Sequence, residues 1–211
     1  MSTTRKHIII DIGHARNTGA VGCGLQEHTR CGQIAGHLRA KLEDAGYKVT
    51  VLDFPDKSNR ADLVATVKAA NAITPPRVGV VSEPQARHEA PCAFGISLHM
   101  DAATQAVDVV DEDGEHVTRW VANPHPCGAH VCYVSATGKR MAQSIARYLC
   151  TLVPGRAEQV QKRSGLYILT ETRAPWVLCE CGFITNPGDI QATPEQIAEC
   201  IAAGVRAYFT A

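Results

Sequence analysis

Three short apolar runs, each ending in a residue that carries chemistry, constrain this chain more than any other feature. Residues 7–12 (HIIIDI) run into Gly13-His14, residues 93–98 (AFGISL) into His99, and residues 176–179 (WVLC) into Glu180. Runs that are apolar at nearly every position belong to strands buried on both faces, as in a parallel sheet covered by helices. A carboxylate at the end of such a strand is costly to bury unless something there uses its charge.

The remaining segments alternate between strand and helix. A helix is predicted over 29–45, with Ile34, Leu38 and Leu42 on one stripe and Gly46 as its stop. Residues 47–52 (YKVTVL) form a strand, and Ser58 or Asn59 caps a helix reaching Ile73. Residues 129–134 form a fourth strand, and Ser135 or Thr137 opens a helix that turns Met141, Ile145, Tyr148, Leu149 and Leu152 inward. A basic loop over 156–164 leads to strands at 166–169 and 176–179. Thr193-Pro194 starts the final helix, lined by Ile197, Ile201, Val205 and Tyr208. The pattern predicts an α/β fold: a single domain over 1–211 with a mostly parallel, twisted sheet of about six strands and helices on both faces. Residues 77–92, rich in charge and proline, and 104–128, acidic and without apolar period, are read as loop inserts.

Composition removes several classes of function. Lys+Arg and Asp+Glu both total 21, so there is no electrostatic footprint for nucleic acid or an anionic membrane. No apolar run approaches the roughly 20 residues that span a bilayer. The basic start, MSTTRKHIII, holds only three isoleucines before Asp11 and is not expected to be a signal peptide. The nine cysteines include no C-x-x-C pair and read as reduced, buried small hydrophobes. Cys179-x-Cys181 and Cys127-x4-Cys132 are minor metal candidates.

In open parallel sheets, ligands sit outside the carboxyl ends of the strands. His14, His99 and Glu180 stand at three such ends, and Glu27 opens the first helix on the same rim. Two imidazoles and one carboxylate, with a position left for water, form a catalytic zinc set. A second carboxylate outside it can move a proton. His14, Glu27 and His99 suit the first role and Glu180 the second, because Glu27 is near His14 in sequence whereas Glu180 arrives from elsewhere. The other histidines read as surface or hydrogen-bonded residues, with His28 and His130 the rival ligand candidates. The residues alone support a metallohydrolase of carbonyl compounds.

These motifs resemble the zinc-dependent N-acetylmuramoyl-L-alanine amidases of bacterial cell walls and phage endolysins. IIIDIGHARNTGAVG, with Glu27 after it, resembles the segment around that family's first histidine and glutamate. ISLHMDA (96–102) resembles the segment of its second histidine, and VLCECGFITNPGD (177–189) its glutamate–x–glycine–phenylalanine segment, the most specific of the three. The resemblance implies Zn2+ on His14, Glu27 and His99, Glu180 as the catalytic carboxylate, and peptidoglycan as substrate. The bond cut would be the amide between N-acetylmuramic acid and the L-alanine of the stem peptide.

The chain departs from the family pattern at Ile12, at Ala15-Arg16, at Met100-Asp101 and at Thr66, where an arginine is usual. Asp101 and Arg16 are the candidate substrate-binding residues, and the two inserts are expected to shape or cover the peptide groove. With no signal peptide read, the expected setting is synthesis in the cytoplasm and action on the cell wall. That fits an endolysin let through a phage pore, an autolysin, or part of a longer secreted chain. A zinc peptidase acting within the stem peptide, a non-catalytic wall-binding module and a cysteine-based redox or metal-storage protein are the competing readings.

Overall fold

The computed structural model describes residues 6–16, 18–55, 58–74, 93–112 and 115–210. In chain order the elements are β1 (His7–Ile12), β2 (Val21–Gly22), β3 (Leu25–Gln26), α1 (Glu27–Asp44), β4 (Lys48–Leu52) and α2 (Asn59–Ile73). They continue with β5 (Ala93–Asp101), β6 (Thr104–Val110), β7 (His116–Ala122), β8 (His130–Tyr133) and α3 (Ala136–Leu152). The chain closes with β9 (Val160–Lys162), α4 (Tyr167–Glu171), β10 (Trp176–Phe183) and α5 (Pro194–Thr210).

Six strands form the main sheet in the order β4-β1-β5-β10-β8-β9, with every neighbouring pair parallel except β10 and β8. Side chains leave successive strand residues on opposite faces, so β1 feeds two cores at once. Ile8, Ile10 and Ile12 join Phe94, Ile96 and Leu98 under α1, α3 and α5. Ile9 points the other way, to Val67 and Ala70 of α2, Ile168 and Leu169 of α4, and Trp176. This two-sided burial is the physical reason the strands are apolar at every position. Each fully buried isoleucine contributes about 1.5–3 kcal/mol.

The helix starts follow the caps legible in the chain. Ser135 Oγ accepts from the Gly138 amide at 3.0 Å, and Thr193 Oγ1 from the Gln196 amide at 3.2 Å while Gln196 Oε1 accepts from the Thr193 amide at 2.9 Å. No helix among the described residues is long and apolar enough to cross a membrane.

Gly95 marks the closest approach in the second core. A Cβ there would lie 1.8 Å from the Trp176 indole, itself fully buried. We expect Gly95→Ala to push the indole out of its slot and cost about 3 kcal/mol or more. In a chain of this size that is a melting temperature lower by roughly 6–12 °C, readable by calorimetry. An unchanged transition would mean that the indole is not held there.

Four local expectations are corrected. Residues 166–169 are not a strand: Tyr167–Glu171 is a short helix, and the sixth strand is Val160–Lys162, inside the segment read as a basic loop. A run as brief as LYIL has no period that separates strand from helix. The stretch 104–128 is not structureless, since β6 and β7 pair from Thr104↔Ala122 to Val110↔His116 as an antiparallel hairpin. The loop after His14 contains the β2–β3 pair, and α1 begins at Glu27 itself, which stands in its first turn. The other expected insert, 77–92, with His88 and Cys92, lies outside the described residues.

Candidate metal centre

β1 and β5 lie side by side with Ile12 opposite Leu98, so the residues that follow them emerge together. His14 sits one residue past the β1–Gly13 exit with φ +63°, a left-handed conformation that costs energy in a residue with a Cβ. That turn directs its imidazole toward the His99 ring, with the ring centroids 5.1 Å apart and edge-on. Glu27 enters between them. Its Oε2 lies 3.3 Å from His14 Nε2 and its Oε1 3.1 Å from His99 Nδ1. One ligand atom from each of the three falls within 4.8 Å of the other two.

The carboxylate is clamped by backbone. The Ala20 amide donates to Oε2 at 2.7 Å and the Met100 amide to Oε1 at 3.0 Å. The loop must come very close to make the first contact. Gly19, at φ +84°, has its missing Cβ position 2.8 Å from Glu27 Oε2 and 2.9 Å from the His14 ring, so a side chain there would enter the site. On the far side of His14, Nδ1 lies 3.1 Å from Asn59 Oδ1 at the start of α2. With a metal ion bound, a proton on Nδ1 donated to that oxygen would leave Nε2, the nitrogen facing Glu27, as the ligand atom.

The electrostatics suit a cation. Burial alone would raise the Glu27 carboxyl, yet hydrogen bonds from His14 and His99 hold it below the usual carboxylate range. Burial would lower the His99 imidazole, but the Glu27 hydrogen bond and the charges of Glu180 and Glu27 lift it to about 9. A pocket that draws a proton so firmly onto an imidazole favours positive charge.

Glu180 stands on β10 directly opposite His99 on β5, with His130 of β8 opposite it on the other side. The strand register slips between Glu180 and Phe183, a bulge of the kind that re-aims side chains beside sites. Burial pushes its carboxyl up to about 7, with Asp101 and Glu27 adding to the rise and His99 opposing it. Its Oε2 is buried without a hydrogen-bond partner. Buried acceptors are rarely left so, and an orphaned carboxylate oxygen beside two imidazoles has the chemistry of a proton acceptor waiting for a donor. His14, Glu27 and His99 fit a divalent ion, and Glu180 stands beside them.

Asp101 and Arg16 were the other candidates. Asp101 extends β5 past His99 and binds Arg156 Nη2 at 2.8 Å. Arg16 is exposed, with its amide on the Pro55 carbonyl at 3.1 Å. Arg156 had no sequence signal beyond lying in a basic loop. Its guanidinium lies over the Phe183 ring at 4.9 Å, and its Nε donates to His130 Nδ1 at 3.3 Å. Burial, with Arg156 and Arg163 beside it, lowers His130 to about 4, which keeps that ring neutral and able to accept. His28 pairs with Asp53 at 3.1 Å. Neither rival histidine joins the cluster.

The turn after β10 is held by its own polar residues. Asp189 Oδ2 accepts from the Phe183 amide at 2.8 Å and the Gly128 amide at 2.7 Å, while Asn186 Oδ1 accepts from the Gly188 and Asp189 amides at 2.8 and 3.0 Å. Among the described residues, the metal-ligand grouping includes no cysteine. Cys31, Cys132, Cys150, Cys179 and Cys181 are buried, and burial raises their thiols above the ordinary range, which disfavours the thiolate a metal needs.

Comparison with known proteins places this geometry in context. A family model described as N-acetylmuramoyl-L-alanine amidase matches residues 8–207. The uncharacterized protein YqiI of Bacillus subtilis (strain 168) is 25% identical over 210 residues, covering 97% of this chain and 85% of that protein. Among solved structures, the catalytic domain of the CD27L endolysin targeting Clostridia Difficile superposes with a TM-score of 0.72 at 22% identity, covering 96% of this chain and 98% of that one. The N-acetylmuramyl-L-alanine amidase Ami1 of Mycobacterium smegmatis gives a TM-score of 0.71 at 17% identity, with 99% of both chains covered. At these identities the solved structures speak for the fold.

Proposed function

The chain belongs to the N-acetylmuramoyl-L-alanine amidase family, and on that premise we propose that it hydrolyses peptidoglycan with zinc held by His14, Glu27 and His99. The bond cut is the amide between the lactyl group of N-acetylmuramic acid and the L-alanine of the stem peptide. The observation that carries this reading is the His14–Glu27–His99 convergence next to the unpartnered oxygen of Glu180.

Zinc supplies a positive charge that polarises the scissile carbonyl and makes water more acidic. The chain supplies the rest. The Ala20 and Met100 amides fix both oxygens of Glu27, and Asn59 sets the His14 tautomer, so the three donors are aligned before anything binds. Glu180 takes a proton from the attacking water through Oε2. Water adds to the carbonyl carbon, the C–N bond breaks, and Glu180 returns the proton to the departing nitrogen of L-alanine. Burial, which raises this carboxyl, helps it hold the proton between the two halves of this exchange. The products are a lactyl carboxylate on the glycan and a stem peptide with a free alanine amine. The enzyme acts on the cell wall, as an endolysin or an autolysin does.

The test is the chemical nature of the new ends. Purified peptidoglycan treated with the zinc-loaded protein is expected to yield stem peptides with free amino-terminal alanine and glycan without new reducing ends. Shortened peptides still bound to sugar would assign the bond to a peptidase instead. Release of nothing would leave the fold without the activity.

A further inference from the structure

The β6–β7 hairpin leaves the main sheet directly beyond Asp101, two residues past His99. Its base is tied to the turn that follows Glu180. The Ala103 amide donates to Thr185 Oγ1 at 3.3 Å, Asn186 Nδ2 to the Pro124 carbonyl at 2.6 Å, and the Asn123 amide to the Ala103 carbonyl at 2.8 Å. The ribbon is therefore fixed at the rim where the two site-bearing strands, β5 and β10, end.

Strand alternation divides its residues into two faces. On one face Gln105, Val107, Val109 and Val117 are partly covered while Arg119 and Val121 are exposed; the face bearing Ala106, Asp108, Thr118 and Trp120 is exposed throughout. Trp120 is 72% exposed. On the same face Thr118 Oγ1 donates to Asp108 Oδ1 at 3.1 Å, next along the ribbon from Trp120, which itself pairs with Ala106. An indole plane beside an ordered hydroxyl–carboxylate pair has the chemistry of a sugar platform. The C–H face of a pyranose packs on the ring, and its hydroxyls bond to the polar pair.

We propose that this face, centred on Trp120 with Thr118 and Asp108, is a subsite for the glycan strand of peptidoglycan. The inference rests on the amidase reading, because a glycan is the polymer that such a site would have to follow. Trp120 pairs with Ala106, seven residues beyond His99, so it lies at most about 24 Å along the strand direction from the metal centre. A polymer bound at the centre reaches that far within a few sugar rings. A second copy of this chain is the poorer occupant. Seven residues of two-stranded ribbon offer roughly 240 Å², well under the ~800 Å² per partner of a stable interface, and this face carries a carboxylate and hydroxyls among its apolar groups.

The test compares Trp120→Ala and Trp120→Phe with the zinc-loaded parent on three probes: insoluble peptidoglycan, a soluble muramoyl-peptide monomer, and glycan strands free of peptide. Trp120→Ala is expected to weaken glycan retention and raise the KM on insoluble peptidoglycan by roughly 3–10-fold. Turnover of the monomer should be unchanged, and Trp120→Phe should recover most of the loss. Trp176, the other tryptophan, is buried, so a fluorescence change on adding glycan reports Trp120. Equal behaviour of Trp120→Ala and parent on insoluble peptidoglycan and glycan would overturn the subsite, as would a Trp120-dependent dimer that forms without glycan. Should the parent cleave neither substrate yet retain glycan through Trp120, the amidase reading fails and the subsite stands.

Discussion

Glu180→Gln should lower kcat on peptidoglycan by about 10²–10⁴-fold, the range expected when a positioned proton-transfer group is removed. The substitution keeps the shape of the side chain and takes away its capacity to hold a proton in transit. The fold should tolerate it, because burial already pushes this carboxyl up to about 7 and a neutral amide sits easily in such a place. Zinc content should be unchanged, since the three proposed ligands lie on other elements. Activity within tenfold of the parent would remove Glu180 from the role assigned to it. Loss of zinc along with activity would make it a ligand instead.

Glu27→Gln is expected to be at least as damaging, by a different route. Loss of groups that merely support a ligand weakens metal affinity by about 10–100-fold, and loss of a charged ligand should exceed that. The amide has one accepting oxygen where the carboxylate has two. Its NH2 would therefore face either the Ala20 or the Met100 amide, leaving a buried donor unsatisfied at a cost of about 1–3 kcal/mol. The combined signature is a lower melting temperature, weak zinc retention on dialysis, and activity that excess zinc restores only in part. Full zinc occupancy at parental stability would show that Glu27 is not a ligand.

The two substitutions separate because the site is built from unlike parts, and that also explains what the sequence could reveal. His14, His99 and Glu180 are legible because each follows a continuous apolar run and adjacent strands bring such runs to one edge, although β5 and β10 continue past His99 and Glu180 to Asp101 and Phe183. Glu27 is legible through its place at the head of a helix. The six-stranded α/β architecture follows from the same alternation, helped by caps at Ser58, Ser135 and Thr193. The residues that surround the four had no such signal. Arg156 meets Asp101, His130 and Phe183 only through tertiary packing, and Asn59 reads as an ordinary start to α2 while its side chain reaches His14.

The hairpin was hidden for another reason. Its acidic and polar residues lower the apparent apolarity of β6 and β7: β6 alternates in burial with the period of a strand, but β7 is exposed at every position except Val117, because the ribbon packs only lightly on one side. Composition there reports exposure more than conformation. Likewise the exchange of strand for helix at 166–169 reflects a run too short for periodicity to decide. In both places the missing information is tertiary, and only the packed chain supplies it.

The nine cysteines are the rivals of the proposed ligands for zinc, so the most direct measurement is X-ray absorption at the zinc edge on protein loaded with one equivalent of the ion. With zinc on His14, Glu27 and His99, the expected result is a shell of nitrogen and oxygen alone, at about 2.0–2.2 Å, with the scattering pattern of two imidazoles and a loss of that pattern in Glu27→Gln and His99→Ala. A sulfur shell at about 2.3 Å would contradict it and move the metal from the sheet edge to the thiols.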